Sequence, residues 1–288
     1  MALIHTTVLL HESIDGLNLH KGSIYLDGTL GSGGHSEYAL EKGATVIGLD
    51  QDLEAIERSK KRLKGGTFIQ ENYRNLDIAL ASLKIAKIDA FMLDLGLSSD
   101  QFETSGRGFT FQKDEPLLMT FKKNVTEEDL TASEIVNTWD EANIADIIYG
   151  YGDERYSRRI AKSIVESRPI KTTFELVEAI KLGTPNAYHR GRIHPATRTF
   201  QALRITVNDE INTLKEGLRK GFEALNPGGR MAVISFHSIE DRVTKRFFKE
   251  KQSEATILTK KPIVPSDEEK VRNPRSRSAK LRIIEKKI

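Results

Sequence analysis

Ser23-Ile-Tyr-Leu-Asp27-Gly-Thr-Leu-Gly31-Ser-Gly33-Gly34-His35, followed by Val46-Ile-Gly-Leu-Asp50, is the stretch that decides the fold. An apolar run ends in an acid and breaks into a glycine-rich turn. A helical stretch follows, then a second apolar run with its own terminal acid. This is the pattern of a βαβ unit whose first turn lets a ligand approach bare backbone and whose second strand tip offers a carboxylate to vicinal hydroxyls. A β-carbon at the turn glycines would block the ligand or forbid a positive φ. The same residues could also make only a tight turn, with Asp27 capping a helix. The second acid, Asp50, at the expected distance favours a ligand that contains a nucleoside.

A dinucleotide fingerprint starting at Gly31 would need a third glycine at position 36, where Ser36 stands. Instead the glycines crowd together as Gly28, Gly31, Gly33 and Gly34, directly after Asp27. A pyrophosphate prefers helix-end amides without a carboxylate beside them, because like charges repel. An acid at the turn suits a cationic ligand, and S-adenosyl-L-methionine, with its ammonium and sulfonium, carries that charge.

Outward from this unit, short apolar runs bounded by turn residues mark further strands at Thr67–Gln70, Ala90–Leu95 and Met231–Ser235. Ala255–Thr259 and Leu281–Glu285 read as a final strand pair. Helical patterns cover Asp52–Leu63 and Val207–Leu225, the latter stopped by Asn226-Pro-Gly-Gly. The alternation predicts an α/β fold, an open and mostly parallel sheet with helices on both faces. Residues 104–203 interrupt it with helical segments at Ala132–Ile148, Tyr156–Glu166 and Thr173–Lys181 and no convincing strand. They read as a helical insertion between the two parts of the sheet domain, 1–103 and 204–288. An insertion emerging at the carboxyl edge of a sheet is placed to hold a macromolecular substrate over a cofactor. A lid or an oligomerisation arm would occupy the same place.

The 288 residues are 38% hydrophobic and 30% charged, a composition with enough apolar residues for a substantial core. No stretch reaches the roughly 18 apolar residues that span a bilayer, so no membrane partner is expected. The opening Met-Ala-Leu-Ile-His-Thr-Thr lacks the basic and apolar regions of a secretion signal, which makes a cytoplasmic location the expectation. The absence of cysteine excludes disulfides, thiolate metal sites and Cys nucleophiles. The net charge of +3 is unevenly spread: residues 151–206 hold 11 Lys and Arg against 5 Asp and Glu, and residues 242–288 hold 15 against 6. Such segments fit a polyanion, nucleic acid above all, or an ordinary solvated surface.

The fourth strand ends Phe91-Met-Leu-Asp94-Leu-Gly96-Leu-Ser98-Ser99-Asp100-Gln101, an acid and two hydroxyls where a reacting group would sit. Tyr73, after the third strand, stands where an adenine ring would lie or where a half-buried core aromatic would. His194-Pro-Ala-Thr-Arg198-Thr-Phe-Gln201-Ala-Leu-Arg204 is dense in donors, and Ser235-Phe-His237-Ser238 follows the fifth strand. His237 reads either as a catalytic group or as a loop anchor. No G-x-S-x-G exists for a hydrolase, and the seven histidines lack a metal-binding spacing.

Five separated motifs together resemble the MraW methyltransferase family: Gly28-Thr-Leu-Gly-Ser-Gly-Gly-His35, Leu93-Asp-Leu-Gly-Leu-Ser-Ser99, His194-Pro-Ala-Thr-Arg198, Val233-Ile-Ser-Phe-His-Ser238 and Asn273-Pro-Arg-Ser-Arg-Ser-Ala-Lys-Leu-Arg282. The resemblance runs from Thr7-Val-Leu-Leu-His-Glu12 to the C-terminus. It implies a Rossmann-like, S-adenosyl-L-methionine-dependent methyltransferase sheet with an inserted helical domain. It also implies methyl transfer to the exocyclic N4 of a cytidine in the decoding region of 16S rRNA, within the small ribosomal subunit. By motif position the cofactor contacts fall on Gly33, Gly34, His35, Asp50, Tyr73, Asp94 and Gln101, beside Asp27 and Gly31 of the same turn.

For the reaction so implied, the acceptors for the amine protons are Asp94 and Ser98, with Ser99 and His237 behind them. Phe109 or Phe111 could stack on the cytosine or belong to the core. Arg198, Arg204, Arg275 and Arg277 are candidate phosphate contacts. Two departures stand out. The family usually reads Asp-Gly-Pro-Leu-Asp-Met-Arg-Met where this chain has Asp114-Glu-Pro-Leu-Leu118-Met-Thr120-Phe, and Asp100 replaces a usual proline. A nicotinamide-dependent oxidoreductase, a DNA cytosine methyltransferase and a non-catalytic RNA-binding factor on the same fold are the rival readings. The oxidoreductase lacks its glycine spacing here, and the DNA enzyme lacks its Pro-Pro-Tyr/Trp signature. The sequence leaves the oligomeric state open, a homodimer included.

Overall fold

The computed structural model describes residues 7–96, 105–191 and 193–288. Two compact units emerge, one formed by Met1–Gly96 with Ile211–Ile288, the other by Leu97–Glu210.

In the first unit the order is α1 (Leu10–Gly16), β1 (Ile24–Asp27), α2 (Gly34–Glu41), β2 (Thr45–Asp50), α3 (Leu53–Arg62), β3 (Thr67–Gln70), α4 (Leu76–Ser82) and β4 (Ile88–Asp94). After the second unit come β5 (Leu225–Ser235), β6 (Ala255–Ile257) and β7 (Lys280–Lys286). The seven strands lie in the order β3-β2-β1-β4-β5-β7-β6. The first five run parallel, and β7 pairs antiparallel with both β5 and β6. The strand order reverses between β1 and β4, so a crevice opens at their carboxyl ends. Asp27, Asp50 and Asp94 end β1, β2 and β4, and all three therefore face that edge.

Both sheet faces are covered, which is why the strands read as nearly continuous apolar runs. Along β4, Ala90 and Met92 join the core that holds Tyr25, Val46, Ile234 and Leu281. Phe91 and Leu93 join the opposite core, with Leu26, Ile47, Leu218 and Phe222. The period of two between the faces is that of a pleated strand. Helix α3 shows why its sequence is helical: the Asp52 side chain caps it by accepting from the Glu54 amide at 3.0 Å. Lys60, Lys61 and Arg62 occupy its last turn, where cations favour the helix dipole. The fifth strand begins earlier than Met231 because Asn226-Pro-Gly-Gly lies within it, at a register shift between Ile88 and Ala90.

The second unit contains α5 (Ala132–Thr138), α6 (Glu141–Gly152), α7 (Ser157–Glu166), α8 (Thr173–Leu182) and α9 (Thr197–Val207), around a core that includes Ile135, Ile144, Ile160 and Leu203. The single helix expected over Ala132–Ile148 is two, because Trp139 and Asp140 are extended and Asp140 opens a new helix. The helix expected from Val207 starts instead at Glu210, as α10 (Glu210–Ala224), after Asp209 adopts φ 49°. Asn208 accounts for the break. Its amide donates to the Met119 and Arg204 carbonyls, both at 2.8 Å, and its Oδ1 accepts from the Phe121 amide at 2.8 Å. The chain bends there because one side chain satisfies backbone groups of two segments.

Candidate active site

The glycine turn is suspended between two strands. The Gly28 amide donates to the Met92 carbonyl and the Leu30 amide to the Leu49 carbonyl, each at 2.9 Å. Gly28 must lack a β-carbon, since one would sit 2.7 Å from Leu93 and 3.1 Å from Phe91 and Tyr73. Gly33 caps α2 at φ 77°, and an added β-carbon would meet Leu63 at 2.9 Å. Gly33→Ala should cost about 1–2 kcal/mol in backbone strain alone, lowering the melting temperature by several degrees. Gly22→Ala, at φ 87° with open space around it, carries the strain without the contact. Differential scanning calorimetry of the two variants therefore separates the contribution of Leu63.

Each acid is held by backbone or hydroxyl donors. Asp27, 1% exposed, accepts from the Thr29 amide at 3.1 Å and the Ser36 hydroxyl at 2.8 Å. Ser36, the residue that broke the dinucleotide fingerprint, is thus the acid's own anchor. Asp50 accepts from the Gly31 amide and the Asp52 amide, both at 2.8 Å, so the ribose candidate also holds the glycine turn in shape. The Asp94 amide donates to the Thr29 hydroxyl at 2.6 Å, while its carboxylate accepts from the Gly96 amide at 3.4 Å. Buried His35 points Nε2 at the Val8 carbonyl, 3.1 Å away, which makes that nitrogen the donor. Its Nδ1 lies 3.9 Å from Asp94 Oδ2.

Burial pushes all three carboxyls upward: Asp27 to about 6, Asp94 to about 7, and Asp50 in the same direction. The mutual repulsion of Asp27 and Asp94, and of Asp94 and Glu240, adds to the effect at Asp94. Desolvated acids gathered at one strand edge are stabilised by a cationic ligand and repelled by a phosphate. Hydroxyl-accepting oxygens on Asp50, bare backbone at the turn and the buried acids Asp27 and Asp94, beside which no Lys or Arg stands among the described residues, fit a nucleoside that carries positive charge. The donor set therefore fits S-adenosyl-L-methionine.

The other candidates fall as follows. Tyr73 packs over α10, with Cδ2 2.4 Å from where a β-carbon at Gly217 would be, so one side of its ring is covered by protein. His237 caps α11 (Ser238–Glu250): its side chain accepts from the Glu240 amide at 3.3 Å, and the Glu240 carboxylate accepts from the Phe236 amide at 2.8 Å. Its Nε2 stands 3.0 Å from Glu240 Oε1, at an angle that makes no hydrogen bond. Ser98, Ser99 and Gln101 lie outside the described residues.

Arg204, a candidate phosphate contact, is held by an acid of the same unit. Its Nε and Nη2 both reach Glu210 at 2.8 Å, a bidentate pair that already engages the fork. Arg198 donates to the Asp153 carbonyl at 3.0 Å and lies 3.9 Å from the fully buried Glu154. Arg275 and Arg277 are both exposed on the 3-10 turn Pro274–Ser278.

Of the two readings of Phe109 and Phe111, their contacts are those of core aromatics. Phe109 lies against Phe121 at 5.6 Å in the insertion's core, and Phe111 is stacked on His194 at 4.4 Å and edge-on to Phe200. The substituted Leu118 and Thr120 flank Met119, which is fully buried at φ 53°. Arg107 Nη1 donates to the carbonyls of Thr120, Phe121 and Lys122 at 3.1, 2.8 and 3.0 Å. Thr29 and Glu240 lie within or beside quoted motifs, but sequence reasoning gave them no role; their contacts at the strand ends supply it.

A family model described as the MraW methylase family matches residues 2–287. The chain is 46% identical to the ribosomal RNA small subunit methyltransferase H of Deinococcus deserti, over 100% of this chain and 95% of that protein. It is 47% identical to the protein of the same name from Synechococcus elongatus, over 98% and 94%. Among solved structures it is similar to an rRNA methylase from Streptococcus thermophilus, at 15% identity and TM-score 0.47 over 100% of both chains. With its acid-tipped strands around a glycine turn and a family match across nearly its whole length, the chain belongs to the MraW methylase family.

Proposed function

We propose that this methyltransferase modifies the exocyclic N4 of a cytidine in the decoding region of 16S rRNA, with the small ribosomal subunit as its partner. The observation that carries the reading is the set of desolvated acids, Asp27, Asp50 and Asp94, at adjoining strand tips. S-adenosyl-L-methionine supplies an electrophilic methyl group on a sulfonium. Asp50 would accept hydrogen bonds from the ribose hydroxyls, Gly31 and Gly33 would leave the turn open to the ligand, and Asp27 would supply negative charge beside it. An exocyclic amine of cytosine is a poor nucleophile, so Asp94 must accept one of its N–H groups and fix its lone pair toward the methyl. Positioning of this kind can lower a barrier by roughly 7–11 kcal/mol. Asp94, with a carboxyl pushed to about 7, can also take the proton that the amine loses. His35, at 3.9 Å, adjoins that carboxylate.

The proteins to which this chain is 46–47% identical are named for rRNA of the small subunit, which supports the substrate. The basic stretch 151–206 and the exposed Arg275 and Arg277 supply cations for a phosphate backbone. Incubating the protein with methyl-labelled cofactor and unmodified small subunits, then digesting the RNA to nucleosides, should place label in N4-methylcytidine. Label in another nucleoside would overturn the target atom. No label, with cofactor and RNA still bound, would favour the non-catalytic factor that Leu118 and Thr120 suggest.

A further inference from the structure

The insertion carries a paired-aromatic platform that no step of methyl transfer uses. Tyr156 and Tyr188 meet edge to face at 5.1 Å, both partly buried. The exposed Arg155 lies over both rings, 4.8 Å from Tyr156 and 5.8 Å from Tyr188, and the exposed Arg159 lies 5.8 Å from Tyr156. Beneath the pair, the Tyr188 hydroxyl donates to Glu154, a fully buried acid whose Oε1 accepts from the Tyr156 amide at 2.8 Å. One carboxylate therefore fixes both tyrosines, at the cost of being buried, with Arg198 3.9 Å away.

Next to the platform, Arg159, Lys162, Leu182 and Gly183 line an open groove of about 560 Å³. Leu182 is 74% exposed there. Arg158 and Arg159 sit in the first turn of α7 with no acid among them. Cations at a helix N-terminus oppose its dipole, so these arginines do not serve the helix. Lys162 is offset by Glu166 at 3.7 Å, an exposed pair of little strength. Rings under planar guanidinium groups, beside the exposed arginines that open α7, match one ligand chemistry: phosphates beside unpaired bases.

We infer that Arg155, Tyr156, Tyr188 and Arg159 form a docking surface for a single-stranded segment of RNA, continued along α7 into the Lys162–Leu182 groove. The inference rests on the RNA-substrate reading above and names the part of the insertion that meets the strand. Bases stack on or beside the tyrosines under Arg155, and the backbone crosses Arg159.

The test titrates a fluorescein-labelled, unstructured oligoribonucleotide, and a duplex of the same sequence, with the full chain and with the double variant Arg155→Gln, Arg159→Gln. Single-strand affinity should fall about tenfold, and the salt slope should drop by about one to one and a half, since each phosphate contact on a single strand contributes about 0.7. Arg155→Lys with Arg159→Lys should keep the slope but not the affinity, because lysine lacks the planar face. Unchanged binding in the glutamine variant, equal preference for the duplex, or a wild-type chain that does not bind the single strand would each overturn the surface. Methyl transfer to small subunits, followed in parallel, separates the two readings. A wild-type chain that binds the strand through these arginines yet transfers no methyl leaves the surface standing and removes the RNA-methylation reading.

Discussion

Asp94→Asn is expected to cut methyl transfer by roughly 100-fold or more, the scale on which a positioned proton acceptor acts. Asparagine keeps the shape and the oxygen that faces the Gly96 amide, so the turn after β4 should survive. It removes the negative charge, the strongest acceptor for an amine N–H, and the only described acid at this strand tip. The same change relieves the repulsion of Asp94 with Asp27 and Glu240, so the ligand-free fold should be no less stable. Single-turnover kinetics on small subunits, with cofactor affinity measured separately by calorimetry, distinguishes the two employments of this side chain. A large loss of rate at nearly constant cofactor affinity assigns Asp94 to the amine. A loss of affinity with a preserved single-turnover rate assigns it to the cofactor and moves the amine contact to another residue.

The sheet was legible because a buried strand announces itself. Ile24–Asp27, Thr67–Gln70 and Val46–Asp50 are apolar runs closed by polar residues, and the structure starts or ends its strands within a residue of each. Element breaks inside helical stretches were not legible. Ala132–Ile148 carries a continuous apolar pattern, yet it divides at Trp139 because the second helix starts from Asp140. Val207 belongs to one helix and Glu210 to the next because Asn208 bonds a loop nearly ninety positions away in sequence. Tertiary contacts of that kind leave no local trace.

The site shows the same division. Asp27, Asp50 and Asp94 could be named from sequence since strand-end acids beside glycines have few other uses. The hydroxyls that hold them, Ser36 and Thr29, could not, because a hydroxyl in a turn is ordinary in any chain. Arginines were the least legible. Arg204 and Arg198 look alike in the motif that contains them, but one is clamped by Glu210 and the other leans on Glu154. Only geometry separates a guanidinium that builds the protein from one that meets a ligand.

Cofactor affinity should rise steeply between about pH 6 and 7 and level off above, because the acids that would meet a cation are partly protonated in the ligand-free protein. Asp27 faces the Thr29 amide, the Ser36 hydroxyl, the Tyr25 hydroxyl and the charge of Asp50. Asp94 faces the Gly96 amide, His35, Asp27 and Glu240. In both, burial outweighs the donors and raises the carboxyl, to about 6 and about 7. A raised carboxyl means that the folded state holds a proton which the unfolded chain releases near its ordinary value of 3.8. Its stabilising contribution is complete below that value and is lost as pH rises through 6 and 7. The ligand-free protein should therefore melt at a lower temperature at about pH 8 than at about pH 5.5, its unfolding free energy falling by about 2–4 kcal/mol at most. Bound cofactor reverses the trend, since its positive charge stabilises the ionised acids. Calorimetric titrations across this range should give a dissociation constant that falls about tenfold per pH unit while one proton is displaced. S-adenosylhomocysteine, which lacks the sulfonium charge, should show a shallower dependence. Equal dependence for both ligands would mean that the acids answer the ammonium or the ribose, not the sulfur. A flat profile for both would mean that Asp27 and Asp94 are ionised throughout, and Asp94→Asn would then leave the pH dependence of melting unchanged.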